Sequence, residues 1–483
     1  MDHGRRRLRI CRRGAAPGVA GGGRAQPFGA LLPALTPLNV LIERNNAMEP
    51  ASALSGGLLI LVIVLLTGVP IYLGFLLLNG IGIWYFFGNS GVGLLVNSVV
   101  DSLTSLNMTT IPLFVLMGEI LFRSGAVEVV FDAVNQMIGR IRGRLYVFTV
   151  ILSTIFGALC GSAVAVVAML GRSVLPTMVR RGYDPQLSAS VIQGGASLAP
   201  IIPPSLLAVV IGSLANVSIS DLLIAGILPG LMLAGLFVVY VYWRIARDPT
   251  LAPVEEAGPR PRLADVLRAT VSLLPFTLII ASVMGLMLLG IATPSESAAT
   301  GVVGALLAAA CYRKLDLRML RDAIASSVRI SGMILIIVST AVLFGQLLAF
   351  TGATTDLVQA VTDLTVHPLV MFFLLMLIPF VLCMFIDQFA FMLLAIPLYA
   401  PIVAAMGFDP IWFWTQFSIN MTLASLTPPF GYTLFALRAA APEHLNIQQV
   451  FAASWPIVAT VVCGMTIMTA APQIITFLPG LLK

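Results

Sequence analysis

From Leu159 to Ser205 the chain reads LCGSAVAVVAMLGRSVLPTMVRRGYDPQLSASVIQGGASLAPIIPPS. The stretch is almost wholly apolar, yet small residues interrupt it at Cys160-Gly161-Ser162 and prolines at Pro200, Pro203 and Pro204. Inside a bilayer such interruptions leave backbone groups without helical partners, at a cost of several kcal/mol per group unless protein, water or an ion satisfies them. The same broken unit returns 225 residues later. Ser162 falls on Asp387, Pro176 on Pro401, Gly182-Tyr183-Asp184-Pro185 on Gly407-Phe408-Asp409-Pro410, and Pro203-Pro204 on Pro428-Pro429, all in one register. Two ordinary proline-kinked helices would be the plain alternative. A shared register across four motifs instead points to a secondary transporter built from internal repeats, with substrate and ion sites where the breaks meet.

Composition places the unit in a membrane. Hydrophobic residues make up 59% of 483 and charged residues 10%, with a mean hydropathy of +1.00, which excludes the soluble classes and nucleic-acid binding. The net charge of +6 comes from Met1 to Ala47, which holds eight Arg against Asp2 and Glu43; the rest is neutral. That extension, 1–47, reads as disordered and basic, with Met48 as an alternative start just before the first long apolar run. Five Cys and three His are scattered without disulfide or metal-ligand spacing.

Charge fixes the topology. Leu54 to Phe87 is one long span or two short ones joined at Gly68-Val69-Pro70, Asn89 to Asn107 suits the interface, and Ile111 to Ile120 ends a span. Val127 to Ile138 has an amphipathic helical pattern. Arg140, Arg142 and Arg144 precede a segment that Arg180 and Arg181 close, so residues 145–179 form a re-entrant hairpin open to the cytoplasm, its tip at Gly161-Ser162. Leu187 to Leu214 is a span broken at Ala199 to Pro204, and Leu222 to Trp243 returns, completing a first half, 48–250. An Arg- and Pro-marked linker, 251–269, leads into a second half, 270–483, through spans at Thr270 to Leu289, Ser297 to Tyr312 and Val328 to Leu348. From Phe350 to Asp409 there is no Lys or Arg, so hairpin 369–401, with its tip at Ile386-Asp387-Gln388, opens to the periplasm. Trp412 to Leu437, broken at Leu426 to Pro429, and a single crossing from Val450 to Phe477 finish the chain. The expected fold is an all-α polytopic membrane protein, an inverted repeat with two re-entrant helical hairpins and two broken transmembrane helices.

Unwound helix supplies carbonyls to a sodium ion without an acidic cage. Candidate groups in the first half are the backbone of Cys160, Gly161 and Ser162, the hydroxyls of Ser162 and Ser197, and the carbonyls near Ala199 and Pro200, with Pro203 and Pro204 shaping the break. In the second half they are Ile386, Asp387, Gln388, Ser425 and Thr427, with Pro428 and Pro429. Ser162, Asp387 and Thr427 are the expected sodium ligands, and the flanking helix ends would offer N–H groups to an anion. A carboxylate in the membrane is costly and by default functional, which singles out Asp387, although it would also serve as a cap for the tip. Glu119 stands four residues from Arg123 and pairs with it on a helix, and Glu296 reads as a helix-start residue.

The runs IPLFVLMGEILFRSG (Ile111 to Gly125), GALCGSAVAVVAMLGRSVLPTMVRRGYDP (Gly157 to Pro185), LAPIIPPS (Leu198 to Ser205), GIATPSESAA (Gly290 to Ala299) and LTPPFG (Leu426 to Gly431) together resemble the large membrane subunit of tripartite ATP-independent periplasmic (TRAP) transporters, the DctM-like family. The resemblance implies a sodium-coupled importer of small organic acids such as C4-dicarboxylates in a bacterial inner membrane. It implies an elevator mechanism, no organic cofactor beyond Na+ as coupling ion, and two partners: a small four-helix membrane subunit (DctQ-like) and a periplasmic solute-binding protein (DctP-like). Carried over by position, the sodium regions fall on Gly161-Ser162 with Ala199-Pro200, and on Asp387 with Thr427-Pro428. Cys160 departs from the usual Ser, Val166 from a frequent Asp, and Gln388 from a common Pro. A stand-alone ion-coupled carboxylate symporter is the alternative. An intramembrane enzyme is disfavoured, because neither break holds a His or a catalytic dyad.

Overall fold

The computed structural model describes residues 69–125, 142–253, 263–364, 366–441 and 445–481, with single positions at 56, 129 and 133. The extension 1–47, nearly all of Val127–Ile138, residues 254–262 of the linker 251–269 and the front of Leu54–Phe87 lie outside the described residues. Every regular element among the described residues is helical. Eight of these helices are long and apolar enough to cross a membrane.

Helices α1 (Ile71–Phe87), α2 (Gly91–Thr104) and α3 (Leu106–Arg123) open the described chain, with α1 starting directly after Pro70. The first hairpin follows: α4 (Arg144–Cys160) enters, and α5 (Ala163–Ser173) with α6 (Leu175–Arg180) leaves. The first broken span is α7 (Pro185–Ser197) and α8 (Leu206–Leu214); α9 (Ile219–Ala225) and α10 (Ile227–Arg247) close the half. Helices α11 (Leu263–Leu288), α12 (Pro294–Cys311), α13 (Leu317–Thr351) and α14 (Ala353–Thr362) lead to the second hairpin, α15 (Pro368–Leu382) and α16 (Gln388–Ala405). The second broken span is α17 (Pro410–Ser425) and α18 (Tyr432–Ala440), followed by α19 (Ile447–Ala470) and α20 (Gln473–Gly480).

Local chemistry explains the repeated joints. Gly182 and Gly407 take φ values of 79° and 69°, a left-handed turn that glycine enters without a Cβ clash. Asp184 then accepts the Leu187 N–H at 2.6 Å and Asp409 the Trp412 N–H at 2.8 Å, each followed by proline at the first helical position. A carboxylate cap and a residue with no N–H to lose are what a helix start favours. Thr293 and Glu296 form a reciprocal capping box at α12, so Glu296 is a helix-start residue.

Two sets of helices pack within themselves and against each other, α3 meeting α4 and α8, and α13 meeting α16. In one, α3 lies against α12 and α13, α12 against α11, and α13 against α1 and α2. In the other, hairpin arm α4 packs on α7 and α10, and arm α15 on α17. The leaving arms cross over: α5 packs on α18 of the second half and α16 on α8 of the first. This reciprocal exchange carries both tips toward one place. Where the linker begins, the carbonyl of Leu251 accepts the Tyr146 hydroxyl at 2.7 Å and the Asp184 N–H at 3.2 Å, and the Arg142 guanidinium donates to the carbonyls of Pro249 and Ala252.

Two expectations are corrected. Val450 to Phe477 is not one crossing: Pro472 disfavours helix at Ala471, whose φ and ψ are −127° and 76°, and α19 stops at Ala470. The second tip is also longer than Ile386-Asp387-Gln388. It runs from Cys383 to Asp387, and Gln388 is already the first residue of α16.

Candidate functional site

The two tips meet. Gly161 and Ser162 of the first hairpin and Asp387 and Gln388 of the second line one cavity of about 330 Å³, walled on its far side by Val115, Gly118 and Glu119 of α3 and by Ile330, Met333 and Ile334 of α13. Each tip is built from a helix that stops and one that restarts. Cys160 is the last residue of α4, and Gly161 turns the chain at φ 60°, where a Cβ would come within 3.4 Å of the Pro204 carbonyl oxygen. Ser162 then caps α5, its hydroxyl 3.5 Å from the Ala165 N–H. The repeat mate Asp387 caps α16, its Oδ2 accepting the N–H groups of Phe389 at 2.9 Å and Ala390 at 3.3 Å. One structural role is filled by a neutral hydroxyl in one half and a carboxylate in the other.

The broken spans add two more helix starts. Leu206, first residue of α8, and Tyr432, first residue of α18, line the same cavity, as do Ala163 and Gln388 at the heads of α5 and α16. Four helix N-termini therefore converge on one space. At α5, α8 and α18 the first N–H groups lack a helical partner and carry about half a positive charge, so together they favour an anion, whereas at α16 Asp387 already accepts the N–H groups of Phe389 and Ala390. Ser205 caps α8 by accepting the Ala208 N–H at 3.2 Å, whereas α18 has no side-chain cap. Two carboxylates also line the cavity: Asp387, already engaged by the head of α16, and Glu119, which pairs with Arg123 at 3.0 Å. Among the described residues no Lys or Arg lines the cavity.

Several expected site residues sit behind this wall instead of on it. Ser197, Ser425 and Thr427 are buried, and each hydroxyl donates to a carbonyl three or four residues back, in α7 or α17: Gly194 at 2.6 Å, Thr422 at 2.7 Å and Leu423 at 2.7 Å. Ala199, Pro200, Pro203, Pro204 and Pro428 are also buried, while Pro429 is exposed and Ile386 is partly so. The peptide bonds Pro203–Pro204 and Pro428–Pro429 are both cis. The carbonyl of Pro200 accepts the Ser205 hydroxyl, and its repeat mate, the carbonyl of Ser425, accepts the Thr433 hydroxyl at 2.8 Å. Each break thus satisfies one of its own stranded acceptors with a hydroxyl from the following helix start. Ser205, Leu206, Tyr432 and Thr433 were missed as site residues, although a Ser directly after a double proline and before an apolar run carries a helix-start signal.

Residues 58–474 match the family described as tripartite ATP-independent periplasmic transporter, DctM component. The chain belongs to the DctM family. It is similar to the ectoine TRAP transporter large permease protein TeaC of Halomonas elongata, 29% identical over 86% of this chain and 97% of that protein. The C4-dicarboxylate TRAP transporter large permease protein DctM of Rhodobacter capsulatus is 28% identical over 88% of this chain and 98% of its own. The sialic acid TRAP transporter permease protein SiaT of Haemophilus influenzae is 27% identical over 92% of this chain and 71% of that one. Among solved structures, the YdaH transporter of Alcanivorax borkumensis has the same fold, with a TM-score of 0.58 at 15% identity over 79% of this chain and 88% of that one. As a DctM-family large permease the chain is a multi-pass inner-membrane transport protein and not an enzyme.

Proposed function

We propose that this large permease imports small organic acids by sodium symport, taking substrate from a periplasmic solute-binding protein and working beside a small membrane subunit. The convergence of helix N-termini on one cavity, three of them with N–H groups open to a ligand, carries this reading, since it favours a carboxylate where no Lys or Arg stands among the described lining residues. Asp387 supplies a charge for the coupling cation, with Ser162 opposite it, and Thr427 braces the second break from behind. The relatives named for C4-dicarboxylates and sialic acid support an acid as cargo. The division into a group holding both hairpins and a group around α3, α12 and α13 supports an elevator, in which the first carries the cavity past the second. The test is uptake into liposomes containing the permease, its small subunit and the binding protein. An inward sodium gradient should drive accumulation of at least one organic acid; uptake indifferent to sodium overturns the coupling. Full uptake without the binding protein would point to a stand-alone symporter.

A further inference from the structure

A second cavity, about 380 Å³ and almost wholly apolar, lies between α15, α17 and α19, away from the transport site. Its walls include Phe373, Leu374 and Leu377 of α15, Asn420 of α17, and Val462 and Thr466 of α19. The first half is packed differently at the corresponding place. There the equivalent arm α4 packs directly on α10, the mate of α19. Shifted by 225 residues, Val462 corresponds to Phe237 and Thr466 to Val241, both 0% exposed, whereas Val462 is 46% exposed.

Two substitutions accompany the difference: the large Phe237 is replaced by Val462, and Gly195 by Asn420. Asn420 corresponds to Gly195, where a Cβ would stand 2.3 Å from the Ser153 hydroxyl, so α4 approaches only because glycine is there. In the second half the Asn420 amide stands at that position and donates to the Met376 carbonyl of α15 at 2.6 Å. The gap opens on a flank where Phe373 is 55% and Leu377 54% exposed, apolar side chains that in a membrane-spanning chain meet lipid.

We propose that an acyl chain of a bilayer phospholipid occupies this cleft, as the packing partner that α10 provides in the first half. Water finds almost no hydrogen-bonding groups there, and an apolar cavity of roughly 150 Å³ already takes up a benzene molecule. The cleft has more than twice that volume and is continuous with the lipid-facing surface. The chain that fills it backs the arm leading to Asp387.

The test is photolabelling of the full-length permease in vesicles containing a phospholipid with a diazirine midway along one acyl chain. Labelled peptides are compared between the cleft (Leu374 to Leu377, Val462 to Thr466) and exposed Val271, Leu274 and Leu278 of α11. Labelling should concentrate in the cleft, fall about tenfold in Thr466→Phe, which fills it, and persist in Val462→Ala, which enlarges it, with α11 unchanged. Cleft labelling no greater than that of α11, or indifferent to Thr466→Phe, overturns the proposal. So does protein cross-linking in place of lipid when the small membrane subunit is present.

Discussion

The entering arms of the two hairpins occupy equivalent places in the repeat and live in different surroundings. Helix α4 has Tyr146, Phe148 and Phe156 buried and Ile151 as its one exposed large apolar side chain among the described residues, and its base is fastened by Arg142 and Tyr146 to the carbonyls of Pro249, Leu251 and Ala252. Helix α15 shows lipid a row of exposed apolar side chains from Leu369 to Leu382 and stands away from α19. Repetition thus fixes what a hairpin is, and its neighbours decide how firmly it is held. Buried packing and satisfied polar groups raise the free energy of local opening, so the second hairpin is the one expected to move more readily.

The comparison can be broken at its ends or sharpened at its middle. The largest effect is expected at the tips. Asp387→Ala should raise the sodium concentration for half-maximal uptake by about tenfold or more while membrane insertion is preserved, and Ser162→Ala should shift it far less. Sodium titrations of the two variants read this directly, and equal shifts would erase the functional difference between hydroxyl and carboxylate. Next comes the helix contact behind the arms. Gly195→Asn, which copies the second half into the first, should destabilise by about 1–3 kcal/mol or more through overpacking against Ser153, seen as a lower unfolding temperature in detergent. Gly161→Ala forces a side chain into the left-handed region at φ 60° and should cost about 1–2 kcal/mol by the same measurement. Ser162→Ala removes a cap worth about 1 kcal/mol, with the thermal shift falling below that of Gly161→Ala. The smallest change is expected from Arg123→Gln, which breaks a partly exposed i,i+4 pair worth at most about 1 kcal/mol. Uptake assays should detect it only if Glu119 senses the substrate.

Much of this was legible in the residues. The offset of 225 found both hairpins and both broken spans, because glycine, capping Asp and double proline impose local backbone geometry wherever they stand. Proline alone was a poorer guide. Pro397 and Pro401 lie inside the continuous helix α16 and Pro456 inside α19, while Pro472 ends a helix that hydropathy carried through. The outcome depends on whether neighbours re-satisfy the freed carbonyl, which no single segment records.

The sequence by itself determined the class of the molecule, its repeat, its sided charge and the chemistry of the tips, since these follow from composition and short-range stereochemistry. Tertiary structure alone decided which of the marked residues share a space. It turned Ser197, Ser425 and Thr427 into buried props, brought Leu206 and Tyr432 to the cavity, and set α4 against α10 while leaving α15 apart from α19. The physical reason is that burial and convergence are properties of contacts between segments far apart in the chain, which no local stretch of sequence records.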